Sequence, residues 1–490
     1  MQKLLKFRGF AVVYLTVIIT TYAFTQAPPV PVSNPPWYPS LMAFEHYDSA
    51  RTHLFEQAHF GGSFSGSNLV TVRPSPDLYP SGYNMVYMSP NEIFLYGGGY
   101  GNAPGSTGAF VAKVDPQTLK QVWIQQPFDV VKAGEWDYPG VVSLLDDGYL
   151  YMIYGYRLSK IDPKSGAVLQ TIELPTGGGL KENTSFNGFD ALPDHTLIAK
   201  TLYRQAGCTK QGPPALFYPN CPDPTDVPGS ILVSINPNTM MVNNWVQLPG
   251  IVIGRPTTAS FQGKDYVYMT NTTTAFRYSI ENGYISPDPD PSWNPGNIYL
   301  KGQTPGSAVV MMNDWFVVQT NSGPTMAAAL SVVVINQADA SKQFTAQPFK
   351  GFPVPWGYPT SWAPMSVSVD PSQNLIYAID SSPGMIAALK LTDTNLQTVW
   401  TAHQRTTEFL TLIGPPNRRV LVGTEIPPGQ APVTNSTDFV VWRDAQTGQE
   451  LARTVQLPKF TSGTMLQPYY FGRMFYPGED GGLFELNVLP

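Results

Sequence analysis

Short runs of alternating apolar and polar residues, each ended by a turn-forming residue, recur along most of the chain. In each unit one strand leads into a turn of Asp or Asn with Pro or a small residue, and a second strand follows. Such alternation on both sides of an Asx-type turn is typical of a β-hairpin. The hairpins occupy residues 110–126, 157–174, 231–248, 275–286, 330–347, 386–402 and 439–457.

A second hairpin precedes each of these units, so that the repeat contains four antiparallel strands. Its turns include Asp146-Asp147-Gly148 and Asp370-Pro371-Ser372, and the eight turns of this set recur about every 55 residues. Four antiparallel strands form one blade of a β-propeller. The sequence therefore predicts an all-β fold, an eight-bladed β-propeller. Seven blades with an extra edge hairpin remain the alternative.

The eighth repeat lacks one strand. After Gly472-Arg473 the chain offers only MFYPGE and GLFELNVLP. Residues 68–73 (NLVTVR), which precede the first repeat, can supply the missing strand. Because closure removes exposed sheet edges, we expect this N-terminal strand to complete the last blade.

Composition agrees with a turn-rich β protein and excludes one class of partner. Charged residues make up only 13% of the chain, while it contains 43 Gly and 48 Pro. The net charge is −6, and no Lys/Arg run follows the N-terminus. A nucleic-acid groove needs a basic stripe, so nucleic acid is not expected as a partner.

The first residues have the pattern of a signal peptide. Lys3, Lys6 and Arg8 precede an uncharged apolar run at residues 10–24, and two small-x-small triplets end at Ala23 and Ala27. We predict a signal peptide at 1–27, a Pro-rich linker and polar pre-propeller segment at 28–60, and the propeller at 61–490. The protein would then be secreted or periplasmic, with no stable membrane span after cleavage. An uncleaved N-terminal anchor is the alternative.

The chain has two cysteines, Cys208 and Cys221. In an exported protein we expect them to form a disulfide, with two free buried thiols as the alternative.

The second strand of several hairpins carries part of a longer motif: Asp, two residues, Thr-Gly, three residues, then Trp. Partial matches are Asp115, Thr118 and Trp123; Asp162, Ser165 and Gly166; Asp444, Thr447 and Gly448; and Trp400. The departures are Leu119 for Gly, Gln170 and Ala452 for Trp, and Thr392 for Asp.

This pattern resembles the quinoprotein-like eight-bladed propellers. Quinone dehydrogenases of that family use an adjacent Cys-Cys disulfide, a calcium site and a catalytic Asp. Here the two cysteines are far apart, and no clear set of acidic ligands marks a calcium site. The expectation is therefore a propeller without a cofactor. Two other roles of the family remain: a protein-binding scaffold, or cofactor-free chemistry in the central funnel.

A polar cluster before the propeller offers three histidines, His46, His53 and His59. Their spacings of seven and six residues place them together on neither one helix face nor one strand face, so no metal site is predicted. Instead, this segment is expected to form a short capped helix from Ser49 to Ala58 that packs across the propeller.

The segments that enter the innermost strands are expected to meet at one face around the axis. Their candidate ligand-binding residues are Glu135, Asp137, Asp190, Arg255, Trp362, Arg405 and Glu408. Arg255 would anchor an anion or hydroxyl, with Glu135, Asp137 or Glu408 opposite. We expect a small organic or sugar-like ligand in the axial funnel, with hydrolase- or lyase-type turnover left open. A non-enzymatic protein-interaction scaffold of the cell envelope is the alternative, with a protein partner.

Overall fold

The computed structural model describes residues 35–65, 68–98, 108–206, 227–322, 328–353, 365–430, 436–461 and 463–490. The predicted signal peptide and both cysteines, Cys208 and Cys221, lie outside the described residues. The signal peptide and the disulfide therefore stay predictions. No helix within the described ranges is long and apolar enough to cross a membrane.

The strands form eight four-stranded antiparallel blades in a ring, so the predicted fold and the number of blades are confirmed. Two strands precede the first blade, β1 (Leu54–Phe55) and β2 (Leu69–Leu78). Blade 1 consists of β3 (Asn84–Ser89), β4 (Glu92–Gly97), β5 (Phe110–Val114) and β6 (Gln121–Gln125), and blade 2 consists of β7 (Val141–Leu144), β8 (Leu150–Tyr154), β9 (Arg157–Ile161) and β10 (Val168–Glu173). Blade 3 consists of β11 (Thr184–Ala191), β12 (Leu197–Tyr203), β13 (Ile231–Asn236) and β14 (Met241–Gln247), and blade 4 consists of β15 (Thr257–Phe261), β16 (Lys264–Thr270), β17 (Ala275–Glu281) and β18 (Tyr284–Ile285).

The other half of the ring has the same plan, with small additions. A short pair, β19 (Gln303–Thr304) and β22 (Asn321–Ser322), flanks blade 5, and β33 (Leu457–Pro458) pairs with a strand of blade 7. Blade 5 consists of β20 (Val310–Met312), β21 (Trp315–Gln319), β23 (Val332–Asn336) and β24 (Gln343–Ala346), and blade 6 consists of β25 (Ser368–Asp370), β26 (Leu375–Asp380), β27 (Met385–Leu391) and β28 (Leu396–His403). Blade 7 consists of β29 (Thr411–Ile413), β30 (Val420–Glu425), β31 (Thr437–Asp444) and β32 (Glu450–Arg453), and blade 8 consists of β34 (Gln467–Pro468), β35 (Arg473–Pro477), β36 (Gly482–Leu489) and β2.

Burial falls from the inside of a blade to its outside. All five residues of β8 are buried, whereas β10, the outermost strand of the same blade, is mostly exposed. Inner strands are covered on both faces by the neighbouring blades, so their sequences are continuous apolar runs. The first strands of successive blades contact one another around the axis.

The Thr-Gly and Trp positions of the repeat motif join neighbouring blades. A Cβ atom at Gly166 would lie 2.9 Å from the ring of Trp123 in the preceding blade, which is closer than real Cβ contacts come. Gly448 has the same relationship to Trp400. Glycine at this turn thus permits an indole to pack on the backbone, and its positive φ of 75° in both turns also favours glycine.

The ring is closed by the N-terminal strand, as predicted. β2 pairs antiparallel with β36, and Val70 lies opposite Val488 in this pairing. The last blade therefore combines a strand from before blade 1 with three strands from the end of the chain.

Residues 41–55 lie inside the ring, and we call them the axial segment. Their backbone carbonyls accept hydrogen bonds from amides on the innermost strands of blades 1, 2, 4, 5, 6 and 7. The pairs are Met42 with Tyr87, Ala43 with Leu144, Ser49 with Thr258, Ala50 with Met311, Thr52 with Val369, and His53 with Leu412. The predicted helix from Ser49 to Ala58 is wrong: this stretch forms no helix, because its backbone pairs with the innermost strands, and it includes β1, which pairs parallel with β29.

Candidate functional site

In seven blades a polar residue stands just before the start of the innermost strand, and in blade 3 it is Asn187, at the register shift within β11. We call these eight residues the mouth ring: Tyr83, Tyr138, Asn187, Arg255, Ser307, Ser366, Glu408 and Thr464. Such positions come from different blades and meet at the axis because the blades are arranged radially. One end of the axis therefore carries hydroxyl, amide, guanidinium and carboxyl groups.

Arg255 is the centre of the contacts that tie the mouth ring together. Its Nη2 donates a hydrogen bond of 2.9 Å to the hydroxyl of Tyr83, which donates in turn to the carbonyl of Gly463 at 2.6 Å. The backbone amide of Arg255 donates to the carbonyl of Ser307 at 2.9 Å. Blades 4, 5, 1 and 8 are thus linked through one arginine and one tyrosine.

Glu408 joins the same network from blade 7. Its Oε2 accepts the amide of Gly463 at 2.7 Å, and its Oε1 accepts the hydroxyl of Thr407 at 2.7 Å. Burial raises the pKa of Glu408 to about 8, against the weaker opposing effect of Lys459. The carboxyl is therefore mostly protonated at neutral pH.

The axial segment supplies the carboxylate that faces Arg255. Glu45 pairs with Arg255 through Oε2 and accepts a hydrogen bond from Arg51 Nη1 at 3.1 Å through Oε1. Burial alone would raise the pKa of Glu45, but Arg255, His46 and Arg51 outweigh it and hold the pKa well below its usual range. Glu45 is therefore ionised, in contrast to Glu408.

Asp190 extends this network on the blade 3 side. Its Oδ2 lies 3.9 Å from Arg51 Nε and accepts the amide of Thr258 at 3.0 Å. Burial raises the pKa of Asp190 to about 7, although Arg51 opposes the shift. Two of the predicted ligand-binding residues, Arg255 and Asp190, thus share one buried network through Arg51 and Glu45.

Two histidines of the axial segment stack next to Glu45. The rings of His46 and His53 are 4.6 Å apart, and the ring of Phe409 stands edge-on to both. Burial lowers the pKa of His46 to about 4 despite the nearby Glu45, so this imidazole is uncharged at neutral pH. His59 lies elsewhere, beside Gly472 in blade 8.

The remaining predicted residues occupy separate places around the same face. Glu135 pairs with Arg157 and Asp137 accepts the amide of Ala109 at 2.9 Å, while Trp362 lies outside the described residues. Burial raises the pKa of Asp137 to about 8.

Arg405 lines a cavity between blades 6 and 7 with a volume of about 280 Å³. Its Nη1 donates to the carbonyl of Gln430 at 2.6 Å. The other lining residues are Phe352, Pro353, Pro383, Gly384, His403, Gln404, Glu425, Ile426 and Pro428.

Sequence reasoning missed three members of the site: Tyr83, Glu45 as the partner of Arg255, and Lys200. Lys200 is fully buried in β12, and its Nζ donates to the carbonyl of Ile253 at 3.1 Å. A lysine inside the apolar run LIAKTLY was the available signal. No comparable signal marks Glu45, because its role depends on the path of the axial segment.

The described residues do not fit the quinone and calcium that the fold family implies. They contain no group of three His, Cys, Asp or Glu side chains that could hold a metal ion. The innermost strands also donate backbone amides to the axial segment, which crosses the middle of the ring.

Comparison with known proteins supports the fold alone. No family model and no curated protein matches the chain. Among solved structures, the quinohemoprotein alcohol dehydrogenase from Comamonas testosteroni is similar, with a TM-score of 0.55, 10% identity, and 94% of this chain and 82% of that chain covered. The quinohemoprotein alcohol dehydrogenase ADHIIG from Pseudomonas putida HK5 has a TM-score of 0.52, 11% identity, and coverage of 90% and 79%. The chain thus has a quinoprotein-like propeller fold.

Proposed function

We propose that this protein is a binding propeller that takes a small organic or sugar-like ligand at the mouth ring. The proposal rests on two buried polar groups there that have no hydrogen-bond partner among the described residues, the Oδ1 of Asn187 and the Oγ of Ser366. Buried polar groups are nearly always paired, and an unpaired one costs about 1–3 kcal/mol. A ligand hydroxyl or amine at the mouth would supply the missing partners.

The neighbouring groups suit a polar organic ligand. Tyr83 and the half-buried Tyr138 offer aromatic surface, and Arg255 and Glu408 offer charge and a proton. Sites for small ligands combine apolar walls with a few placed polar groups in this way. Acid–base catalysis often uses one ionised and one protonated carboxyl group, and Glu45 and Glu408 are such a pair. Enzymatic turnover is an extension of the proposal, which itself requires only binding.

The site of action in this proposal is outside the cytoplasm. The support is the charged, then apolar, then small-residue pattern of residues 1–27. The Pro-rich stretch 28–36 would then link the cleavage point to the axial segment.

The test uses two serines that differ only in their place on the axis. Ser366 stands at the mouth, whereas Ser143 lies farther along innermost strand β7, and within the described ranges both hydroxyls are buried without a partner. Ser366→Ala and Ser143→Ala should therefore melt at nearly the wild-type temperature. Ligands are found by mass spectrometry of compounds that co-purify and by thermal shift with a panel of monosaccharides, sugar acids and aromatic acids.

We expect Ser366→Ala to bind the best compound about 2- to 10-fold more weakly than wild type, which is the worth of one neutral hydrogen bond. Ser143→Ala should bind it normally. The proposal fails if nothing co-purifies and no compound raises the melting temperature, or if both variants bind as well as wild type.

A scaffold role is the second candidate, favoured by the outermost strands. Met241 and Trp245 on β14 and Tyr284 on β18 are large apolar residues with about half of their surface exposed or more. A protein partner that adds to these blade edges would cover them. Trp245→Lys should then lose the cross-links that wild type forms in its native envelope and keep any thermal shift from small ligands.

A further inference from the structure

The buried charges near the mouth ring do not balance. Around Arg51 and Arg255, three buried cations, Arg51, Arg255 and Lys200, share two buried carboxyl groups, Glu45 and Asp190, while the third carboxyl group, that of Glu408, is mostly protonated at neutral pH. Both guanidinium groups lie within ion-pair distance of a carboxylate. One positive charge is left over.

Lys200 is the cation without a counter-ion. Within the part of the chain that the structure describes, its Nζ makes one hydrogen bond, to the carbonyl of Ile253 at 3.1 Å, and no carboxylate lies within 4 Å of it. The amide of Asn187 shares this carbonyl through Nδ2 at 3.5 Å, and its Oδ1 has no partner there. Lys200 and Asn187 therefore donate to the same carbonyl on the blade 3 side of Arg255, where the lysine has donor capacity left over and the Oδ1 of Asn187 needs a donor, a combination that a hydroxy acid would satisfy.

An ammonium group buried without a counter-ion is costly, so it loses its proton or gains an anion. Burial and the nearby Arg255 both lower the pKa of Lys200. An anion at the mouth would reverse this effect, because it would neutralise the field of Arg255 as well as pair with Lys200. Because Lys200 shares the Ile253 carbonyl with Asn187 of the mouth ring, an anion bound at the mouth beside Asn187 would lie close to Lys200.

We infer that the ligand of the mouth ring is a monoanionic carboxylate whose charge is held by Lys200. The inference rests on the proposed function and adds the class of ligand. One unpaired cation suits a single negative charge better than a phosphate dianion. Arg255 is a weaker candidate for this role because Glu45 already occupies one side of its guanidinium.

The test compares acids with uncharged analogues of the same shape. Sodium glucuronate and sodium benzoate are titrated by calorimetry and thermal shift against glucose and benzamide, with sodium phosphate as a dianion, all at equal ionic strength. We expect one carboxylate to bind at least tenfold more tightly than its uncharged analogue and than phosphate. Lys200→Met should abolish that binding, whereas Lys264→Met, an exposed lysine in β16, should leave it unchanged.

Asn187→Asp tests the same inference without removing the lysine. The new carboxylate would sit beside Lys200 and supply the missing counter-ion, so the variant should melt at a higher temperature and lose carboxylate binding. The inference is overturned if uncharged compounds bind as well as acids, or if both Lys200→Met and Asn187→Asp bind the acid as wild type does. Binding of only uncharged compounds would leave the proposed function standing, whereas binding of none would remove both.

Discussion

Glu45 and Arg255 are 210 positions apart in the sequence, and their side chains form a buried ion pair inside the ring. Glu45 belongs to the axial segment, and Arg255 precedes the innermost strand of blade 4. Arg51, on the other carboxylate oxygen, carries the contact toward the carbonyls of Phe189 and Pro256. The pair therefore fixes the axial segment to the mouth of the propeller.

Glu45→Gln should destabilise the protein strongly. The substitution leaves two buried guanidinium groups without their shared carboxylate, and removal of one partner of a buried pair costs about 3–5 kcal/mol. Urea unfolding should show this loss in the free energy of unfolding. Glu281→Gln, at an exposed position at the end of β17, is the matched control and should change it by less than about 0.5 kcal/mol. Equal stability of the two variants would contradict the structural role of the pair.

Phe55→Ala should show that the axial segment is part of the hydrophobic core. The side chain of Phe55 is fully buried and packs edge-on against Tyr47. Truncation of a buried Phe costs about 3–5 kcal/mol through lost burial and the cavity that it leaves. Phe471→Ala removes the same atoms at a residue that is 40% exposed, so it should cost much less. If the two variants unfold at the same urea concentration, the axial segment adds little to stability.

Much of the fold could be predicted because its determinants are local. Asp115 accepts the amides of Gln117 and Thr118 in the hairpin turn, as an Asx-type turn requires, and Leu119 takes a positive φ of 60° where the repeat motif has Gly. The closing strand was also predictable, since an eighth repeat without a fourth strand needs one from elsewhere. The alternation of apolar and polar residues along a strand shows which face is buried. Four such strands joined by short turns predict one blade.

The site could be predicted only in part. The radial arrangement of the blades indicated that Arg255 and Glu408 would lie at one face, and both belong to the mouth ring. The sequence could not show that Glu45 would face Arg255, because the axial segment has no periodic pattern and its position is set by contacts with innermost strands. The charges of Glu135 and Arg157 could be listed, but their pairing depends on the loop geometry of blade 2.

The buried Glu408 should make stability fall as the pH rises. Its pKa of about 8 in the folded protein lies above the ordinary value of 4.5, so the folded state holds a proton that the unfolded state has lost. Burial is the main cause of this rise, and the charge of the nearby Asp438 adds to it. The stability that this proton provides is complete below about pH 4.5 and is lost as the pH rises toward 8, at no more than about 1.4 kcal/mol per pH unit.

Glu408→Gln has no such proton to lose. Between pH 6 and pH 8, wild type should therefore lose about 2 kcal/mol of unfolding free energy relative to Glu408→Gln. Asp137, Asp190 and Asp438 titrate in or near the same range in both proteins, so their effects largely cancel in the difference. Parallel pH profiles for wild type and variant would show that Glu408 titrates at its ordinary pKa.

A disulfide between the two ends of the ring should test its closure. Thr71 of β2 lies directly opposite Asn487 of β36. In Thr71→Cys/Asn487→Cys the two side chains share one face of the blade, so oxidation should form a cross-link. The loop-entropy model gives about 6 kcal/mol as an upper limit for so long a loop, and engineered disulfides usually deliver less. In Thr71→Cys/Val488→Cys the second cysteine is displaced by one residue and points to the opposite face.

We expect oxidised Thr71→Cys/Asn487→Cys to melt at least several degrees above its reduced form, beyond any change that wild type shows under the same reductant. Mass spectrometry should find no cross-link in the displaced pair. Equal cross-linking of both pairs would mean that β2 and β36 are not held in this register, and the ring would then lack a fixed closure.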